Sequence, residues 1–190
     1  MSDLYTQDQE YDQINFQINK LPIGEYDSCV FNHCIFADVD LSGYKFVDCE
    51  FRFCNLSNAK LKNTAFRDVQ FKDCKMLGLR FDDCNQFGLS FSFTTCVLDH
   101  TSFYKTKIKK TSFVHCQLME VDFEECDLTC AHFDNCNLSG ASFENTILEK
   151  ADFRTAINYT LDPNKNRISK AKFSLSGIVG FLSNYNIIIE

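Results

Sequence analysis

The chain has 190 residues, with 19 Lys and Arg against 26 Asp and Glu, a formal net charge of −7 at pH 7 and 45% hydrophobic residues. That apolar content suits a packed core and excludes wholesale disorder. No apolar run reaches the ~18 residues that a membrane-spanning helix needs. The acidic balance argues against direct binding to a nucleic-acid backbone, which requires Lys and Arg gathered on one face.

Residues 1–13 are polar apart from Leu4 and Tyr5, with neither the basic stretch nor the apolar stretch of a secretory signal. They predict a thin N-terminal cap or flexible segment and a cytoplasmic location.

From Phe16 onward a period of five takes over. Phe16, Leu21, Tyr26, Phe31, Phe36 and Leu41 begin a series that stays apolar at every fifth position to Phe91, except at Gln86. The phase then slips by two near 86–97, and a second series runs unbroken from Leu98 through Phe103 and Ile108 to Phe153. The position two before each of these residues is small or apolar, as at Cys34, Val39, Cys54, Ala59, Val121 and Ala141. The other three places are mostly Asp, Asn, Ser, Lys or Glu. Such a period matches neither the 3.6 of a helix nor the 2.0 of a strand. Each unit sends two side chains inward and three outward, which describes a coil wound around its own core.

On these units, among them Val121-Asp122-Phe123-Glu124-Glu125 and Ala151-Asp152-Phe153-Arg154-Thr155, the chain resembles the pentapeptide-repeat proteins. The resemblance covers residues 14–173. It implies an all-β fold, a right-handed quadrilateral β-helix with four units and twenty residues per coil, here about seven to eight coils. Residues twenty apart would then stack at about 4.8 Å. In the second series Phe alternates with Leu or Ile, so twenty-residue coils would place Phe on two opposite walls and aliphatic residues on the other two.

Ten of the 11 Cys occupy the small inward position, and only Cys130 does not. They read as core filler in a reducing compartment. His33, His100 and His115 sit at corners while the Cys beside His33 and His115 points inward, so they cannot converge on zinc, and no metal or cofactor is expected. No phosphate loop, nucleophile elbow or His-Glu-x-x-His motif is present, and a convex rod has no cleft to desolvate paired carboxylates. The expectation is a protein without enzymatic activity.

The brightest surface features are an acidic run at residues 120–127 and a basic run at 105–110. Stacking by twenty sets Lys105 beside Glu125 and Lys107 beside Asp127. It leaves Glu120, Asp122 and a Glu124–Glu144 stack unpaired, with Asp48 on Asp68 elsewhere. These six are the candidate acidic partner-binding surface. The resemblance includes the quinolone-resistance and microcin-immunity groups, acidic rods of duplex-like width that bind type II topoisomerases (DNA gyrase and topoisomerase IV) as DNA mimics and protect them. It implies such a partner here, without direct nucleic-acid or membrane binding. An interaction scaffold for an unrelated partner is the alternative. Unlike many quinolone-resistance members, this chain has no projecting loop between coils; its one irregularity, at the phase slip, offers Gln86, Phe87 and Phe93 as a contact ridge.

Residues 156–170 read as a turn-rich excursion before Phe173 rejoins the repeat. In 174–190 a short helix over residues 175–182, weakened by Gly177 and Gly180, precedes a strand of Ile187, Ile188 and Ile189. This module predicts a cap and a two-fold homodimer through Phe173, Leu175, Ile178, Val179, Phe181 and Leu182.

Overall fold

A computed structural model describes residues 4–185, 187 and 188. Within them the chain winds into a parallel coil of four walls. Wall 1 begins with β1 (Leu4–Gln7), β3 (Gly24–Asp27), β5 (Lys45–Val47) and β7 (Ala65–Arg67). Wall 2 stacks β2 (Glu10–Asp12), β4 (Val30–Asn32), β6 (Glu50–Arg52), β8 (Val69–Lys72), β9 (Phe91–Thr94), β10 (Ser112–Val114) and β11 (His132–Asp134). Walls 3 and 4 are ladders of single bridges, such as Asn15↔Ile35↔Asn55↔Lys75 and Ser102↔Asp122↔Ser142. All these pairings are parallel, most at a spacing of twenty residues, as the period of five requires.

The inward positions close the core. On wall 2 the rings of Tyr11, Phe31, Phe51, Phe71, Phe93, Phe113, Phe133, Phe153 and Phe173 stack in one column, with neighbouring centroids 4.6–5.4 Å apart. Opposite it, on wall 4, Phe81, Phe103, Phe123 and Phe143 form a second column. Leu98, Leu118 and Leu138 fill wall 3, and Ile108, Leu128 and Leu148 fill wall 1, all essentially buried. The two ring columns meet edge to face, as at Phe113 and Phe123 (6.1 Å), a geometry that sets ring edges against ring faces. The expected alternation of aromatic and aliphatic walls holds in the second half of the coil, whereas in the first half Tyr26, Phe46 and Phe66 stack on wall 1 and Phe16 on Phe36 on wall 3.

Corners turn through one residue of left-handed backbone per unit, with φ between 51° and 62° at the non-glycine corners. Asp, Asn and His tolerate that region best, and they supply many of the corners. Phe53 and Thr95 adopt it too, held by ladder bonds such as Phe53 N–H to the Lys72 carbonyl (2.9 Å).

Three expectations change. The coil begins at Leu4, not at residue 14, because β1 and β2 already pair with β3 and β4. The phase slip is confined to residues 86–89. Glu50 still faces Gln70, but Gln70 faces Ser92, a spacing of 22. Gln86, Phe87 and Gly88 are extruded, while Leu89 and Phe91 are buried. Phe91 stands where Val69 stands one coil before, at a normally small position. Its ring lies 5.1 Å from Phe81 and 5.0 Å from Phe93, filling the core where Gln86 turns outward. The third change is at the C-terminal end. The helix there is 3-10 (Gly177–Phe181, then Ser183–Tyr185), and Ile187 and Ile188 are irregular; Asn186 and Ile189 lie outside the described residues. The excursion at 156–170 keeps the count, since Asp152 still bridges Lys172.

Candidate partner-binding surface

Six carboxylates were expected to form one surface, and the coil divides them. Asp48 and Asp68 are corner residues between walls 1 and 2. Glu120 is a corner between walls 3 and 4, diagonally across the section, and Asp122 faces outward on wall 4. Glu124 and Glu144 follow at the next corner. Only the last four are neighbours.

Their charges are only partly free. Lys165 Nζ donates to Glu144 Oε1 (2.9 Å), which corrects the expectation that Glu144 stacks unpaired on Glu124. Glu124 instead accepts from the Ser142 hydroxyl (2.7 Å), and Glu120 lies 3.2 Å from His100 Nδ1. Lys105 reaches Glu125 as expected (3.4 Å), but Asp127 pairs with Lys109 (3.1 Å), not with its rung partner Lys107. Burial works against the Asp127 carboxylate, and the Thr129 hydroxyl and amide with Lys109 outweigh it, holding the carboxyl below its ordinary range.

Asp122 goes the other way. Burial between Ser102 and Ser142 pushes its carboxyl up, and the negative charges of Glu124 and Asp82 add to the effect. Asp82 is itself largely buried, and Arg80 binds its Oδ2 (2.7 Å) while Oδ1 has no hydrogen-bond partner. Asp82, Asp122 and Glu124 thus share one stretch of wall 4, with Arg80 as the cation among them, two rungs from Asp122. Like charges so placed oppose folding. Stacking by twenty would set 82, 102 and 122 in one column; the two-residue slip instead aligns Arg80 with Ser102 and Asp122, and the sequence reading did not single out Asp82.

The expected ridge at the slip is smaller than predicted. Phe93 is fully buried in the wall 2 ring column and contributes nothing to the surface. Gln86 and Phe87 are exposed, Phe87 at 79%, with the Arg67 guanidinium 5.6 Å from its ring centroid.

At the C-terminal end Phe173 and Phe181 pack on the core, their rings 4.8 Å apart. Leu175 (87% exposed), Ile178, Val179 and Leu182 face outward with Ile157, Ile187 and Ile188. Gly177 and Gly180 have a role that propensity hides. A Cβ at Gly180 would lie 2.1 Å from the Tyr159 carbonyl oxygen, and one at Gly177 would lie 2.0 Å from the Tyr159 hydroxyl. Only glycine lets the 3-10 turn seat against Tyr159.

Ten cysteines are buried and Cys130 is half-buried, as expected. Burial pushes the thiols of Cys49 and Cys126 up to about 12, which keeps them protonated. No group of three or more His, Cys, Asp and Glu among the described residues converges on one point. No described helix is long and apolar enough to cross a membrane.

Comparison with protein families matches pentapeptide repeats (8 copies) at residues 27–63 and 49–85, and a pentapeptide repeat region at residues 89–158. The chain belongs to the pentapeptide-repeat proteins. The two matches stop and resume on either side of residues 86–88, where the coil swells. Among solved structures, full-length QnrB1, a plasmid-mediated fluoroquinolone resistance protein, is 18% identical, with 97% of this chain and 100% of that chain covered and a TM-score of 0.47. HetL, a pentapeptide-repeat protein involved in heterocyst differentiation regulation in the cyanobacterium Nostoc, is 15% identical over 92% of this chain and 88% of that chain, with a TM-score of 0.39. No curated protein matches the sequence. The repeat fold supports a protein-interaction role for the chain.

Proposed function

We propose that the protein is a DNA mimic that binds a bacterial type II topoisomerase through wall 4 and protects it from quinolones or gyrase toxins. The observation that carries this reading is the placement of Asp82, Asp122 and Glu124 on one stretch of wall 4, where burial first and the charges of Glu124 and Asp82 second raise the Asp122 carboxyl. Carboxylates that oppose folding are retained where a cationic partner neutralises them, and the basic DNA saddle of a topoisomerase is such a partner. The protein acts as a two-fold homodimer in this proposal. Its exposed C-terminal apolar residues meet a second copy and bring two acidic walls to a two-fold symmetric saddle. Gln86 and Phe87 form a secondary contact beside wall 1.

The test titrates the protein into a gyrase supercoiling assay with and without ciprofloxacin. Rescue of supercoiling in the presence of drug, weakened by added salt and by Asp122→Lys, is the expected result. Binding that ignores both changes would overturn mimicry and leave an interaction scaffold with another client.

A further inference from the structure

Ten buried thiols spread through a core would be filler, but six of them are in line. Cys34, Cys54, Cys74, Cys96, Cys116 and Cys136 occupy the same inward position of wall 3 in six consecutive coils, each 0–2% exposed. Their Sγ atoms share one orientation. Each donates to the carbonyl two residues before it, from Cys54 to Arg52 (3.2 Å) to Cys136 to Asp134 (3.5 Å). Equal rotamers on parallel rungs put successive sulfurs about 4.8 Å apart, the spacing of the strands themselves. On wall 2, Cys29 and Cys49 repeat the arrangement once. Cys84, Cys126 and Cys130 have no cysteine above or below them in the stack: Thr106 and Thr146 flank Cys126.

This spacing matches a particular coordination. A metal–thiolate bond is about 2.3 Å, so an ion bound linearly between two sulfurs needs them about 4.6 Å apart. Zinc requires four ligands around one point, which these rungs do not supply. Soft monovalent d10 cations of the Cu(I) type accept two sulfur ligands in a line. We infer that the wall 3 cysteine file is a binding site for soft monovalent metal ions, one ion held between two neighbouring thiols and each thiol serving one ion.

Charge balance favours this stoichiometry. One sulfur of each pair gives up its proton to solvent and binds as thiolate, while the other binds as neutral thiol. A singly charged ion thus replaces a single proton, and the core gains no net charge. The file comes closest to solvent at its N-terminal end, where only the half-buried Ile14 stands on the rung before Cys34 and local opening of the first coil would admit an ion.

Silver(I) in chloride-free buffer is the probe, added to the full chain in a Cys130→Ala background, with bound ions counted by native mass spectrometry. Six thiols at two per ion take about three ions, and the Cys29–Cys49 pair takes one more. The expected result is about four ions, one proton released per ion, an unchanged β circular-dichroism spectrum and no uptake of Zn(II). Cys34→Ala/Cys74→Ala/Cys116→Ala leaves no adjacent pair in the file and should lower the count to about one; Ala156 already fills the next rung of this position. Should that variant not fold, Cys96→Ala alone should lower the count by one. No uptake by the folded protein, uptake approaching one ion per thiol, uptake only with loss of the β spectrum, or a count insensitive to Cys96→Ala would each overturn the proposal.

Discussion

The coil body and the C-terminal end solve the same problem in opposite ways. In the body the inward apolar residues stack on partners twenty, or at the slip twenty-two, residues away, so burial is collective, and the outward positions are free to carry charge. Residues 174–188 contain no charged residue at all. They seat Phe173 and Phe181 on the last coil and then leave Leu175 and Ile188 almost fully exposed, at 87% and 90%. A solenoid must cover its open ends. This end covers the core with two rings and presents a second apolar surface beyond what the cap requires. The N-terminal end differs again, being closed by the polar strands β1 and β2, with Gly24 packed against the Leu4 carbonyl.

The contrast is most sharply tested by deletion of buried and exposed side chains. Phe123→Ala removes a ring stacked on Phe103 and Phe143 and should cost about 3–5 kcal/mol in urea unfolding. Leu175→Ala should change the monomer by less than ~0.5 kcal/mol while weakening self-association in sedimentation velocity. Equal costs at the two sites would end the distinction between them.

Acid separates the regions next. Arg52, with Lys72 across the rung, holds the Glu50 carboxyl down to about 2 from an ordinary 4.5. Its stabilisation is therefore complete above pH 4.5 and lost as the pH falls through about 2. Glu50→Gln should cost roughly 2–3 kcal/mol at neutral pH, and the difference from the parent should vanish near pH 2. The uncharged end offers no such titration. Gly180→Ala acts on the end alone. By driving a Cβ into the Tyr159 carbonyl it should cost about 1–3 kcal/mol locally, read as protease cleavage between Ser174 and Tyr185 with the body still folded.

The smallest effect is of opposite sign. Because the Asp122 carboxyl is pushed up, its ionised form opposes folding at neutral pH. Asp122→Asn should then stabilise the protein by up to about 1 kcal/mol, a gain that disappears in acid, while weakening partner binding. A destabilised Asp122→Asn would remove the argument for a functional carboxylate on wall 4.

The repeat was legible because two inward places in every five read the same way for more than a hundred residues, and no local context competes with that signal. The walls of Phe and of Leu or Ile followed from it. Phe93 was misplaced because near the slip both phases offer a Phe. Which of Phe91 and Phe93 joins the ring column depends on where the two extra residues leave the wall. The Lys109–Asp127 pair was missed for a related reason: a long side chain crosses rungs and turns, and its reach is set by corner geometry rather than by sequence spacing.

The amino-acid sequence by itself determined the coil, its period, the inward phase of ten cysteines and the uncharged character of the C-terminal end, because each is carried by residue type at a fixed interval. Tertiary structure alone decided the outward turn of Gln86 and its replacement by the Phe91 ring. It also seated Gly177 and Gly180 on Tyr159 and set Arg80, rather than Asp82, in line with Asp122. These depend on how adjacent coils pack at close range, where a shift of two residues or a single Cβ changes the neighbour. The alignment of six thiols lies between the two kinds of information. Its spacing is written in the sequence, but only parallel stacking at about 4.8 Å converts that spacing into a continuous file of sulfur.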